Sequence, residues 1–66
     1  MTFLLNGDAR GLVPGLTVAG LLAELGLDVR KVAVERNEEI VPRSRYAVTA
    51  LMAGDAVEIV HFIGGG

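Results

Sequence analysis

Cysteine and tryptophan are absent from this 66-residue chain, and it holds a single lysine, a single histidine and two prolines. Without cysteine there is no disulfide framework, no zinc–thiolate centre and no thiol nucleophile. With Lys31 the only lysine and five scattered arginines, there is no basic stripe to neutralise a run of phosphates, and the formal charge is -2, so no nucleic-acid partner is expected. Long apolar runs are missing too. None approaches the roughly 20 residues that cross a bilayer, and Met1-Thr2-Phe3-Leu4-Leu5 lacks the basic start of a signal peptide before turning at Asn6-Gly7. No membrane association and a cytoplasmic location are the expectation.

Catalytic groups are equally sparse. His61 has no cysteine and no carboxylate at helical ligand spacing, so no metal site is expected, and it reads as a strand residue. Ser44, between Arg43 and Arg45 after Pro42, lacks the strand-to-helix elbow of a hydrolase nucleophile. Glu35, Glu38 and Glu39 cluster around a turn and read as solvated acid groups, and the dispersed glycines make no phosphate loop. The chain reads as a protein that is not itself an enzyme and binds no cofactor of its own.

What is present is apolar patterning, with hydrophobic residues making up 52% of the chain, enough for one core in one small domain. Alternation predicts a strand over Thr2–Leu5, and Asn6-Gly7 turns it, since both residues tolerate the positive φ of a type I′ turn. Ala9–Val13 is the second strand, weakened by Gly11 and ended by Pro14-Gly15. Thr17 is placed to cap a helix from Val18, whose apolar stripe is Val18, Leu21, Leu22 and Leu25, with Gly26 as the left-handed C-cap. Gly20 works against that helix unless it permits close packing.

A polar connection over Asp28–Lys31 leads to a strand at Val32–Arg36 with Val32 and Val34 facing the helix. Asn37-Glu38 turns into the short strand Glu39–Val41, which Pro42 ends. A turn or a single helical turn is expected over Arg43–Tyr46, then an irregular or weakly extended approach over Ala47–Met52 to a turn at Gly54-Asp55. The last and longest strand is Ala56–Ile63, with Val57, Ile59, His61 and Ile63 on one face and Glu58, Val60 and Phe62 on the other. Apolar residues on both faces suit a central strand. Val60, Phe62 and Leu4 would then form an apolar patch on the open face, to be read as a docking surface, a homodimer contact or incidental surface.

These elements together make an α+β fold of the β-grasp type. A mixed sheet of four to five strands carries one main helix on one face, with the first and last strands parallel. The expected division is a domain over residues 1–63 and a flexible glycine tail over residues 64–66. Gly64, Gly65 and Gly66 carry no side chain and could enter a narrow channel, reaching about 10 Å when extended. The α-carboxylate at the tip is ionised at neutral pH and a poor electrophile until a partner activates it.

At this level the chain resembles the ubiquitin-like sulfur carriers, most closely those of thiamine biosynthesis. The resemblance rests on Leu5-Asn6-Gly7, on Val18–Leu25, on Val34-Glu35-Arg36-Asn37 with Glu39-Ile40-Val41-Pro42-Arg43, and on Glu58-Ile59-Val60-His61-Phe62-Ile63-Gly64-Gly65-Gly66. Gly64 is a departure, since the family pattern needs only two terminal glycines. The resemblance implies that Gly66 is the site of covalent modification, first as an acyl-adenylate and then as a thiocarboxylate, with Gly64 and Gly65 presenting it. It implies two partners, an adenylating enzyme that uses ATP and magnesium and a thiazole synthase, with Val60, Phe62 and Leu4 in docking. A carrier for molybdopterin or another pathway, and a β-grasp regulatory module with an inert tail, remain open alternatives.

Overall fold

Alternating apolar residues and two Asn-containing turns produce one hairpin near the start of the chain and a second at its middle, in a computed structural model that describes residues 1–62. The strands are β1 (Thr2–Leu5), β2 (Asp8–Gly11), β3 (Val32–Arg36), β4 (Glu39–Val41) and β5 (Ala56–His61), with one helix, α1 (Val18–Leu25). Among the described residues they form a single mixed sheet in the order β2-β1-β5-β3-β4. The predicted α+β, β-grasp arrangement is the one observed. β1 and β5 run parallel and the other pairings are antiparallel, so the last strand lies at the centre.

The turns explain the hairpins. Asn6 and Gly7 have φ of 49° and 87°, and Asn37 and Glu38 have 53° and 69°, the positive values that a two-residue turn between twisted strands demands. β2 ends at Gly11, short of the expected Val13, although the Leu12 amide still donates to the Met1 carbonyl at 2.8 Å. Helix α1 has the predicted bounds. The Thr17 hydroxyl accepts from the Gly20 amide at 3.0 Å, and Gly26 closes the helix at φ 70°. A Cβ on Gly20 would meet Leu16 Cδ1 at 3.2 Å and Thr17 Oγ1 at 3.4 Å, so the glycine makes room for the cap and the chain entering it, not for the sheet.

Two segments differ from the simplest reading. The polar connection after α1 contains a 3-10 turn over Val29–Lys31, capped by Asp28, whose carboxylate accepts from the Arg30 amide at 2.9 Å. Hydrogen bonds from the Arg30 side chain and amide hold that carboxyl at a pKa of about 2. Between the 3-10 turn Arg43–Arg45 and β5 the chain forms no strand, yet it is ordered by non-local bonds. The Val18 and Ala19 amides donate to the carbonyls of Thr49 and Tyr46, and the Leu51 amide donates to the Leu16 carbonyl. Amides of the first helical turn, which have no partner within a helix, are thereby satisfied.

The core lies between α1 and one face of the sheet. Val18, Leu21 and Leu22 from the helix pack with Phe3, Leu5, Val32, Val34, Val57 and Ile59, and Tyr46 and Leu51 close the side. Leu25, at the end of the apolar stripe, is only partly buried. Asp55 is the buried charge among the described residues, 7% exposed. Its carboxylate accepts from the Met52 amide at 2.8 Å and from Asn37 Nδ2 at 3.0 Å, with Arg36 Nη1 at 3.5 Å. The turn expected at Gly54-Asp55 thus sits one residue earlier, at Ala53-Gly54, and frees Asp55 for this role.

Burial alone would raise the Asp55 pKa, but the hydrogen bonds from Asn37 and Met52 and the charge of Arg36 outweigh it and hold the group below its ordinary value of 3.8. A depressed pKa in the folded state contributes stability that is complete above the unfolded value, about 3.9, and is lost as pH falls through the folded one. Asp55→Asn is therefore expected to be less stable at neutral pH and to lose less stability on acidification than the parent. Urea denaturation at neutral pH and at about pH 3 measures both differences.

Candidate functional site

The sequence points to the end of β5, so the site is built from what holds that strand. β1 pairs with β5 at only two positions, Leu4 with Ala56 and Leu5 with Val57. Beyond them the backbone of Asn6 donates to the Val57 carbonyl and then turns away. Its side chain takes over the ladder: Asn6 Oδ1 accepts from the Ile59 amide at 2.9 Å and Nδ2 donates to the Ile59 carbonyl at 3.4 Å. On the opposite edge Asn37 serves the strand's start, donating its backbone N–H to the Ala56 carbonyl and accepting from the Ala56 amide through its side-chain Oδ1. The Phe62 amide donates to the Lys31 carbonyl at 2.9 Å, so β3's edge follows the strand to the last described residue.

On the open face of the sheet Val60 is 58% exposed and Phe62 54% exposed, two residues apart and pointing the same way. Leu4 shares that face at 42% exposure, but it is level with Ala56, four residues down β5 and about 13 Å from Val60. The structure therefore brings Val60 and Phe62 together and sets Leu4 apart. Glu58 lies between them, directly opposite Glu35 of β3, and among the described residues neither carboxylate makes an ion pair. Ile40, opposite Glu35 on β4 and 66% exposed, belongs to the same face and was not singled out from sequence. Its signal was the period of two, since Val41 beside it is buried.

Gly64, Gly65 and Gly66, with Ile63, lie outside the described residues. His61 is an exposed strand residue, and among the described residues no three His, Cys, Asp or Glu side chains gather as a metal site. Ser44 lies in the 3-10 turn Arg43–Arg45. A cavity of about 640 Å³ lined by Met1, Leu12, Pro14, Gly15, Leu51, Met52 and Ala53 opens beyond the Ala56 end of β5, at the opposite end of the sheet from Phe62. What the arrangement does chemically is position: it fixes the strand that leads into the glycines and surrounds it with exposed apolar groups.

Comparisons with known proteins bear on the whole chain. The ThiS family model matches residues 3–66. The chain is 58% identical over all 66 residues to a protein of Paramagnetospirillum magneticum named thiazole synthase, and it spans 20% of that protein's length. It is 48% identical over 50 residues to the sulfur carrier protein ThiS of Bacillus subtilis, covering 76% of each chain. The crystal structure of a thiamine biosynthesis protein, ThiS, from Geobacter metallireducens superposes with a TM-score of 0.84 at 35% identity over the full length of both chains.

The Asn6 side chain is expected to be worth more than its place in a turn. Asn6→Gly keeps the positive φ without strain but removes both bonds to Ile59, and is expected to cost about 1–3 kcal/mol. Hydrogen exchange should accelerate most at the Ile59 amide, and equal acceleration across the whole sheet would show that the bond is not local.

Proposed function

This chain belongs to the ThiS family, and we propose that it serves as a sulfur carrier in thiamine biosynthesis, with the carboxylate of Gly66 as the group that bears the sulfur. It is a carrier and co-substrate, not a catalyst. The observation that carries this reading is the joint one: a central strand anchored on both edges precedes Gly64-Gly65-Gly66 in sequence, and the family match extends through those glycines.

A carboxylate lacks a leaving group, so its oxygen must first attack the α-phosphate of ATP, releasing pyrophosphate and forming an acyl-adenylate. An adenylating enzyme with its magnesium supplies that step. A sulfur nucleophile then adds to the carbonyl carbon and AMP departs, leaving a thiocarboxylate once the sulfur is freed from its donor. Gly64 and Gly65 allow the group to reach active sites that exclude side chains. The molecule has no thiol of its own to compete.

The acceptor is a thiazole synthase, a reading supported by the relative of that name in which a fifth of the protein corresponds to this chain. The same observation favours the thiamine pathway over molybdopterin. Docking is by the open face beside the tail, centred on Val60 and Phe62, with Leu4 at its far margin.

Incubation with ATP, magnesium, a sulfide source and the adenylating enzyme is expected to add the mass of one sulfur in place of one oxygen. Deleting Gly65 and Gly66 together should abolish the shift, and a shift that survives that deletion would move the modification elsewhere. Phe62→Asp is expected to weaken binding to the adenylating enzyme or the synthase by about tenfold or more while leaving the thermal midpoint close to that of the parent. Titration calorimetry with each enzyme checks this, and unchanged affinity for both would remove the open face from the docking surface.

A further inference from the structure

Along β5 the backbone groups alternate between two neighbours. The carbonyls of Asp55 and Val57 and both polar groups of Ile59 are taken on the β1 side, by Leu4, Asn6 and the Asn6 side chain. Ala56 and Phe62 are taken on the other side, by Asn37 and Lys31. His61 is in phase with Val57 and Ile59, so its amide and carbonyl point to the β1 side, away from Val32, the residue it faces on β3. There β1 has already ended. The chain leaves through Asn6-Gly7 into β2, and Asn6 reaches only as far as Ile59. One rung further along, about 7 Å on, the N–H and C=O of His61 have no hydrogen-bond partner among the described residues. The central strand of the sheet thus becomes an edge strand over its last turn of pleat, where it approaches the tail.

We propose that this edge accepts an extended backbone segment of the thiazole synthase, which adds a short strand beside β5 and guides the chain end into the synthase. The proposal rests on the carrier reading above. An N–H donor and a C=O acceptor side by side at strand spacing are complemented by another extended backbone, the chemistry of strand addition. The position supports that occupant, because His61 is the last paired residue but one before the four that must enter the acceptor's active site. Whatever lines the entrance runs alongside it. Added pairing would also hold the residues that follow in an extended course, lowering the ordering cost of delivery.

Amide hydrogen exchange followed by NMR tests this on the unaltered chain. In the free protein the His61 amide is expected to exchange near the unprotected rate while Ile59 is protected, and in a complex saturated with thiazole synthase His61 should slow by at least about tenfold. His61→Pro removes the donor from the open edge and leaves the bonds to β3 intact. It should bind the synthase about tenfold more weakly with an unchanged thermal midpoint, whereas His61→Ala should bind as the parent does. A saturated complex in which His61 still exchanges freely, or a His61→Ala variant as weak as His61→Pro, overturns the strand-addition proposal alone. No complex between the parent chain and the synthase overturns it together with the acceptor assignment.

Discussion

Two residue pairs, Leu4 with Ala56 and Leu5 with Val57, join the beginning of this chain to its end, and the rest of the sheet is arranged around that short parallel contact. Parallel strands need a long crossover, and here everything from β2 to the Met52–Asp55 turn serves as one. Such a contact is weaker than an antiparallel hairpin of the same length and has no local turn to enforce its register. The molecule compensates with side chains. Asn6 lengthens the β1 edge by one rung, and Asn37 completes the β3 edge at Ala56, where its own positive φ takes its carbonyl out of line. Each asparagine therefore does two jobs, accepting a left-handed backbone and standing in for a strand.

The buried carboxylate belongs to the same device. Asp55 fixes Asn37 Nδ2 so that Oδ1 faces Ala56, and it fixes the Met52 amide so that the preceding turn delivers the chain to β5 in register. A neutral amide ligand and a backbone donor carry most of that work, with Arg36 more distant at 3.5 Å and partly solvated. A partly exposed ion pair of that length adds little by itself. The stability it lends is electrostatic in origin but local in geometry.

What could be read from sequence followed the range of each interaction. Thr17 and Gly26 act within one helical turn, so the bounds of α1 were legible, and Asn6-Gly7 and Asn37-Glu38 announced their turns. The bond from Asn6 to Ile59 spans 53 residues and leaves no local trace, which is why Asn6 read as a turn residue only. Residues 47–52 looked irregular or weakly extended because their order comes from non-local bonds to the start of α1 and the residues before it. Val60 and Phe62 were legible as an outward pair by the period of two, whereas the separation of Leu4 depends on the register of β1 against β5, which no pattern within either strand specifies. The role of the glycines was an expectation drawn from the resemblance, and they lie outside the described residues.

Parallel pairing of the first and last strands has a practical corollary. Met1, 92% exposed, stands at the end of the sheet where β5 begins, so a strand's length separates it from Phe62. Anything attached at residue 1, whether an affinity handle, a surface linker or an upstream domain, projects from the pole opposite Phe62. The fold is polar like an arrow, with its attachment point at the nock and Phe62 toward the tip.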